Sequence, residues 1–344
     1  MVNDLILLTG ATGFVGSRAL VTLLESGFRV RCAVRSESGR DKIMASPSLR
    51  SIQPSEEQLA WVIVHDITVP NAYDEAVKGV KYIIHCASPV VKLRPDGRQG
   101  TDDEIYVNPA VQGVVGMLES AAAHAGDTVE RIVVTSSIVA IMPRSCFRGE
   151  GLDRPAFTGE SRLPWPVAPY EDAYSASKTA ALEASERWMR EHKPAFDLIS
   201  IMPAWIFGRE ELATTPEALL SGSNGVLLEL LRGNKFDWTI NTGYVSVQDV
   251  VDAHIRALSP SVPGGKSFIL SKHIAFEEAR DFAKKHFPEA FANGVFREDS
   301  KQLVVSIPTD ESEGEELLGR QYENCEDVVK EVAAQYVKLV DECK

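Results

Sequence analysis

The sequence is short of the features that mark several large protein classes. Its 36 lysines and arginines are outnumbered by 49 aspartates and glutamates, giving a net charge of −13. That balance provides neither the basic surface that nucleic-acid phosphates require nor a polybasic patch for anionic lipid, so neither nucleic acid nor membrane is an expected partner. No apolar run approaches the length of a membrane span. The N-terminus lacks a basic stretch followed by a long apolar one, so no secretory signal is expected. Cysteine is scarce: Cys32, Cys86, Cys146, Cys325 and Cys343 are odd in number and widely scattered. Free thiols in a reducing compartment fit that pattern better than a disulfide framework, and the expected location is cytoplasmic. The seven histidines show no ligand spacing with one another or with cysteine, which argues against a metal site. His85–Cys86 ends a buried strand pattern, and strand packing is its default explanation.

What remains is ordinary globular composition, 44% hydrophobic and 25% charged over 344 residues. The length accommodates one large α/β domain with a second, smaller lobe. Strand patterns fall at Asp4–Thr9, Phe28–Val34, Ala60–Val64, Lys81–Cys86, Arg131–Ser136 and Asp197–Met202, with helical patterns between them, among them Glu104–Ala125 and Ala173–His192. Such alternation implies a doubly wound parallel sheet with right-handed crossovers, in which ligands bind beyond the carboxyl ends of the strands. Two segments interrupt it, Met142–Glu171 and Gly208–Tyr244. With Gly264–Lys344 they are expected to form the lobe that shapes a substrate pocket. Phe147, Phe157, Trp165, Tyr170, Trp205, Phe207, Trp238 and Tyr244 favour an apolar one.

The first strand opens directly into Thr9-Gly10-Ala11-Thr12-Gly13-Phe14-Val15-Gly16, and a helix pattern follows over Ser17–Glu25. Glycines at this spacing let the backbone turn sharply and approach a pyrophosphate, which then sits on the amides at the helix start. Strand, loop and helix in this order point to nucleotide binding. The second strand ends at Arg35, about where a protein selective for NAD places an acid for the ribose 2′-hydroxyl. A guanidinium there suits a 2′-phosphate instead, and Arg40 and Lys42 add positive charge, so NADPH is favoured. Glu37 is the neighbouring acid that would serve a ribose.

Tyr174 and Lys178 stand four positions apart inside a helix pattern and therefore leave from one face. An ammonium beside a phenol favours the phenolate, which equips the tyrosine to exchange a proton with a carbonyl or alcohol oxygen. The fifth strand opens into Ser136-Ser137, where a hydroxyl can hold a carbonyl oxygen by hydrogen bonding. Ser137 lacks the tight G-x-S-x-G elbow of a nucleophilic hydrolase serine.

Taken together, T-G-A-T-G-F-V-G, the paired serine and Y-S-A-S-K resemble the extended short-chain dehydrogenase/reductase family over nearly the whole chain. The likeness is strongest to its dihydroflavonol-reductase-like branch, which includes fungal aldehyde and ketone reductases. Arg35, Asp66-Ile67, His85-Cys86-Ala87-Ser88-Pro89, Asn108, Gly113, Met202-Pro203 and Tyr244-Val245-Ser246-Val247-Gln248-Asp249-Val250 match that branch in order. The resemblance implies a Rossmann domain over residues 1–207 and about 239–262, with residues 208–238 and 263–344 as the substrate-binding lobe. It implies Tyr174 as proton donor, Lys178 as its activator and as a ligand of the nicotinamide ribose, and Ser137 as the group that orients the carbonyl. Asn108 would support a water relay behind Lys178, with Pro109 directly after it affecting the local helix. Gly10, Thr12, Gly13, Phe14, Val15 and Gly16 would line the pyrophosphate, and Arg35 with Lys42 the 2′-phosphate. Asp66 and Ile67 would meet the adenine, Ala87 and Ser88 the ribose side, and Pro203 the carboxamide.

Ile138 and Val139 stand where sugar-nucleotide dehydratases carry an acidic pair, which argues against water elimination. The surroundings of Tyr174 also lack the N-W-Y-C-Y-G-K of cinnamoyl-CoA reductases. The expected activity is NADPH-dependent reduction of a small-molecule aldehyde or ketone by a monomer or homodimer. A sugar-nucleotide epimerase, a steroid-type dehydrogenase and a non-enzymatic NADP-sensing regulator are the alternatives. The substrate is open: the aromatics suit a hydrophobic or aromatic carbonyl compound, whereas Arg144, Arg148, Arg154 and Arg209 suit an anionic one.

Overall fold

The structure, a computed structural model, describes residues 4–88, 103–126, 128–166, 172–298 and 301–343. Pro89, Tyr170 and Glu171, which figured in the sequence patterns, lie outside the described residues.

The first part of the chain alternates as its patterning requires: β1 (Leu5–Thr9), α1 (Phe14–Glu25), β2 (Arg29–Val34), α2 (Glu37–Met44), α3 (Pro47–Ile52), β3 (Leu59–Ile63), β4 (Tyr82–His85), α4 (Asn108–His124), β5 (Arg131–Thr135), α5 (Ala173–His192) and β6 (Asp197–Pro203). Shorter elements follow: β7 (Trp205–Phe207), α6 (Pro216–Leu220), α7 (Asn224–Leu231), β8 (Ile240–Asn241), β9 (Gly243–Ser246), α8 (Val247–Ala257), β10 (Ser267–Leu270), β11 (Lys272–His273), α9 (Phe276–His286), α10 (Pro288–Ala292), β12 (Val304–Val305), α11 (Ser312–Leu318) and α12 (Cys325–Glu342).

Seven strands form one parallel sheet in the order β10-β6-β5-β4-β1-β2-β3. This is a Rossmann sheet, whose strand order reverses between β1 and β4. Side chains alternate across it. Ile6 and Leu8 join the core shared with α1 and α8, while Leu7, Ile83, Ile132 and Leu198 join the core against α4 and α5. Both faces are covered, which explains why the strands read as continuous apolar runs.

The sheet has one strand more than the sequence patterns indicate. Ser267–Leu270 falls in the stretch assigned to the lobe, yet it pairs in parallel with β6 along Ser200–Pro203. Only four residues long, it carries too little periodicity to stand out.

With α8, α11 and β10 packed on the main sheet, most of the remaining elements gather as a smaller lobe. β11, β9 and β7 form a small sheet, and β12 pairs with β8. Phe207, Leu227, Ile240, Phe276, Phe296 and Val332 belong to a separate apolar core there, filled from α7, α9 and α12. Lobe and sheet are also joined by a buried polar knot. Glu211 accepts from Arg18 of α1 at 2.8 Å and from the Ser48 hydroxyl of α3. Among the described residues no helix is long and apolar enough to cross a membrane.

Candidate active site

The glycine loop lies at the point where strand order reverses. Gly10 has φ +78°, and a Cβ there would sit 2.6 Å from the Ala87 amide nitrogen at the exit of β4. A Cβ on Gly16 would lie 2.2 Å from the Gly10 carbonyl oxygen, so the first turn of α1 packs directly on the loop. Gly13 caps α1 without a side-chain hydrogen bond, and the first turn holds no acid. The amides at the helix start are thus open to an anion that no acid of that turn repels. A bare glycine cradle at an uncapped helix start fits a dinucleotide pyrophosphate. Thr12 and Gly13 are exposed at its mouth, with Phe14 and Val15 half-buried behind them.

Arg35 emerges from the end of β2 and is exposed. Its carbonyl oxygen lies 3.1 Å from His65 Nδ1 beyond β3. Asp66 holds the Thr68 hydroxyl (2.7 Å) and amide (2.8 Å). These hydrogen bonds, with Arg35 as a smaller contributor, keep its carboxyl below the usual range. Ile67 is half-buried beside it. Glu37 faces Arg40 at 3.3 Å. Lys42 is exposed on α2, and its charge opposes the rise that burial imposes on the Glu210 carboxyl.

The N-terminus of α5 is fixed by Asp172, which accepts from the amides of Tyr174 (3.3 Å) and Ser175 (3.2 Å). Thr179 of the same helix donates to the Ala140 carbonyl at 3.1 Å, pinning α5 against the short turn after β5. That turn begins at Ser137, whose hydroxyl accepts from the Val139 amide at 3.4 Å. Helix and turn thereby bring Tyr174, Lys178 and Ser137 to one cavity of about 590 Å³. Pro203 from the end of β6 lines it, as do Phe147, Trp205 and Trp238. Tyr174 is 51% exposed. The Lys178 ammonium lies 5.8 Å from the centre of its ring and donates to Ser88 Oγ at 3.4 Å.

Beneath Lys178 a hollow of about 30 Å³ is lined by Ala87, Ser88, Ser136, Ser185, Ser200 and His85, among others. It has room for about one water molecule and polar groups to hold it. His85 Nδ1 lies 3.0 Å from Thr9 Oγ1, which accepts from the Ala87 amide at 3.1 Å. Burial, with Lys178 nearby as a second cause, lowers the His85 pKa to about 4, so the ring adds no second cation. Burial also pushes the Cys86 thiol up to about 11. Although it lines the cavity that holds Tyr174, Cys86 is therefore no thiolate nucleophile at neutral pH.

Of Ser137, Tyr174, Lys178 and Asn108, Asn108 is the one that does not join the others. It is exposed on the first turn of α4 and lines neither hollow. The helix restarts here, after a wide turn over Asp103–Val107 and with Pro109 in its first turn. Ala110, Gly113 and Val114 are the α4 residues that reach the hollow under Lys178. Cys146 is buried rather than open to the pocket, and all five cysteines are free thiols. Phe157, Phe207 and Tyr244 belong to the buried cores, not to the cavity wall. Sequence reasoning passed over Asn241, Ser223 and Thr239, which line the cavity from short lobe segments. Nothing in their local pattern marks them.

Comparison with known proteins shows the family and the fold. The chain is 34% identical over 352 residues to ketoreductase CTB6 of Cercospora beticola, covering 98% of this chain and 96% of that protein. Its fold matches the yeast methylglyoxal/isovaleraldehyde reductase Gre2, solved with NADPH, at a TM-score of 0.79 and 23% identity, covering 98% and 99% of the two chains. Vestitone reductase from alfalfa (Medicago sativa) matches at a TM-score of 0.72 and 24% identity, covering 98% of each chain. The model of the NAD dependent epimerase/dehydratase family matches residues 6–270, and the chain belongs to that family.

Proposed function

We propose that this chain is an NADPH-dependent ketoreductase that converts the carbonyl of a hydrophobic or aromatic small molecule to an alcohol. The observation that carries this reading is the meeting of Ser137, Tyr174, Lys178 and Pro203 in one aromatic-walled cavity. When bound, NADPH supplies the hydride. Gly10, Gly13 and Gly16 would admit its pyrophosphate, Arg35 its 2′-phosphate, Asp66 and Ile67 its adenine, and Ala87, Ser88 and Pro203 its nicotinamide half.

Within this reading the Ser137 hydroxyl donates to the substrate carbonyl oxygen and holds it toward Tyr174. The Tyr174 hydroxyl protonates that oxygen as the carbonyl carbon is reduced. Lys178 stabilises the charge left on the phenol oxygen, and the polar hollow beneath it offers a route for the replacement proton. Trp205, Trp238 and Phe147 exclude water from an apolar substrate.

The test is NADPH oxidation across a panel of aldehydes and aromatic ketones. Turnover with the protein, and none with Tyr174→Phe, is expected. NAD that stays bound through purification, with no consumption of added NADPH, would instead mark a sugar-nucleotide epimerase. Cofactor binding without turnover of any carbonyl would mark a regulator.

A further inference from the structure

The four arginines of the sequence patterns have different fates. Arg209 faces the buried Glu211 at 3.5 Å, and Arg148 pairs with Glu150 at 3.1 Å. Arg154 is exposed and lies 4.3 Å from the Phe157 ring centre. Arg144 alone of the four lines the cavity that holds Tyr174. Its guanidinium rests 5.1 Å from the Phe147 ring centre, and among the described residues it has no carboxylate partner.

The carboxylate in the cavity lining, Asp172, is already occupied by two backbone amides and the Ser175 hydroxyl. A second donor is also left over. Asn241 is 2% exposed and lines the same cavity. Its Oδ1 accepts from the Gly243 amide at 3.2 Å, which sets the orientation of the side-chain amide. Nδ2 has no hydrogen-bond partner among the described residues and stands as an accessible donor on the cavity wall rather than a sealed orphan.

Both unspent groups are donors, and they stand among Phe147, Trp205 and Trp238. An aromatic body with an anionic oxygen substituent satisfies them together. With Lys178 set beside Tyr174, the wall offers one further cation, and a guanidinium matches the single charge of a carboxylate in fork geometry. Resting on the reductase reading, we infer that the substrate is an aromatic keto compound bearing a carboxylate remote from its reacting carbonyl. Arg144 pairs with the carboxylate, and Asn241 donates to an oxygen of the same molecule.

A matched pair of probes tests this, para-acetylbenzoate and its methyl ester. They have the same ring and ketone and differ in charge. Binding is read without turnover, by quenching of tryptophan fluorescence in the presence of NADP+, and turnover is read separately by NADPH oxidation. The acid should bind about tenfold more tightly than the ester, as one charge-assisted contact allows. Added salt should weaken the acid alone. Arg144→Gln should bring the acid-to-ester ratio to about one, and Arg144→Lys, which keeps the charge without the fork, should retain part of it.

Equal binding of acid and ester, or a ratio that Arg144→Gln leaves unchanged, would overturn the inference. Arg144-dependent binding with no ketone reduced would remove the reductase reading and leave the anion site standing. Ketones reduced with no preference for the acid would do the reverse.

Discussion

Lys178 holds its ammonium 5.8 Å from the centre of the Tyr174 ring, one helical turn away on α5. Its hydrogen bond goes to Ser88 Oγ, and among the described residues no carboxylate pairs with it. Tyr174→Phe keeps the ring and deletes the transferable proton. We expect kcat/KM to fall by about 10²- to 10⁴-fold. Melting temperature and NADPH affinity should hardly change, since Tyr174 is 51% exposed. A variant that reduces ketones at the native rate would remove Tyr174 from the mechanism.

Gly16→Ala tests the cradle. The new Cβ would stand 2.2 Å from the Gly10 carbonyl oxygen, a backbone atom that cannot swing aside. Helix α1 must shift, and the turn that receives the pyrophosphate shifts with it. Calorimetric titration should show NADPH affinity reduced by at least about tenfold, together with a lower melting temperature. Native affinity would show that the loop does not meet the cofactor.

Arg35→Ala tests cofactor choice. Arg35 is exposed beyond β2, and in the proposed reading its guanidinium would fork onto a 2′-phosphate. Its loss should cut the ratio of kcat/KM for NADPH over NADH by about 10- to 100-fold, chiefly through KM for NADPH. An unchanged ratio would shift the recognition elsewhere, with Lys42 the next candidate.

Two buried histidines predict how stability depends on pH. Burial lowers the pKa of both His85 and His254 to about 4, from an ordinary 6.5. Between these values the unfolded chain takes up protons that the folded chain refuses. Stability should therefore be flat above about pH 6.5 and fall as pH drops toward about 4, by about 1.4 kcal/mol per pH unit for each ring. His254 Nδ1 lies 2.7 Å from the Val250 carbonyl and Nε2 lies 2.8 Å from the Thr135 hydroxyl, so Nδ1 carries the proton and Nε2 accepts. His254→Gln should flatten the slope of denaturant-unfolding free energy across this window. A slope identical to that of the parent protein would mean the ring is charged in the folded state.

The sequence exposed the frame of the sheet because its signals are local. Leu5–Thr9 followed by three glycines needs no distant information to be read, and neither does a phenol one helical turn from an amine. Strand boundaries agree to within a residue or two for the same reason. What escaped depends on distant partners. Ser267–Leu270 is a strand because β6 offers an edge, and no periodicity in four residues announces it. Asn108 carries the right residue type, but the helix restarts around it and turns it outward. The four arginines look alike along the chain. Only the fold assigns a distinct setting to each and leaves Arg144 in the cavity. Asn241 sits on a two-residue strand, where sequence pattern has nothing to measure.

The late strand β10 has a consequence for biosynthesis. Pro203 lines the cavity that holds Tyr174, and among the described residues the edge of the strand that ends there is closed by Ser267–Leu270. While the ribosome makes the residues between them, that edge is bare, a ready template for pairing with another nascent chain. A fragment ending before Ser267 would lose more than the distal helices. It would leave β6 with a permanently open flank, so a chain cut before Ser267 should yield an aggregating product rather than a soluble module.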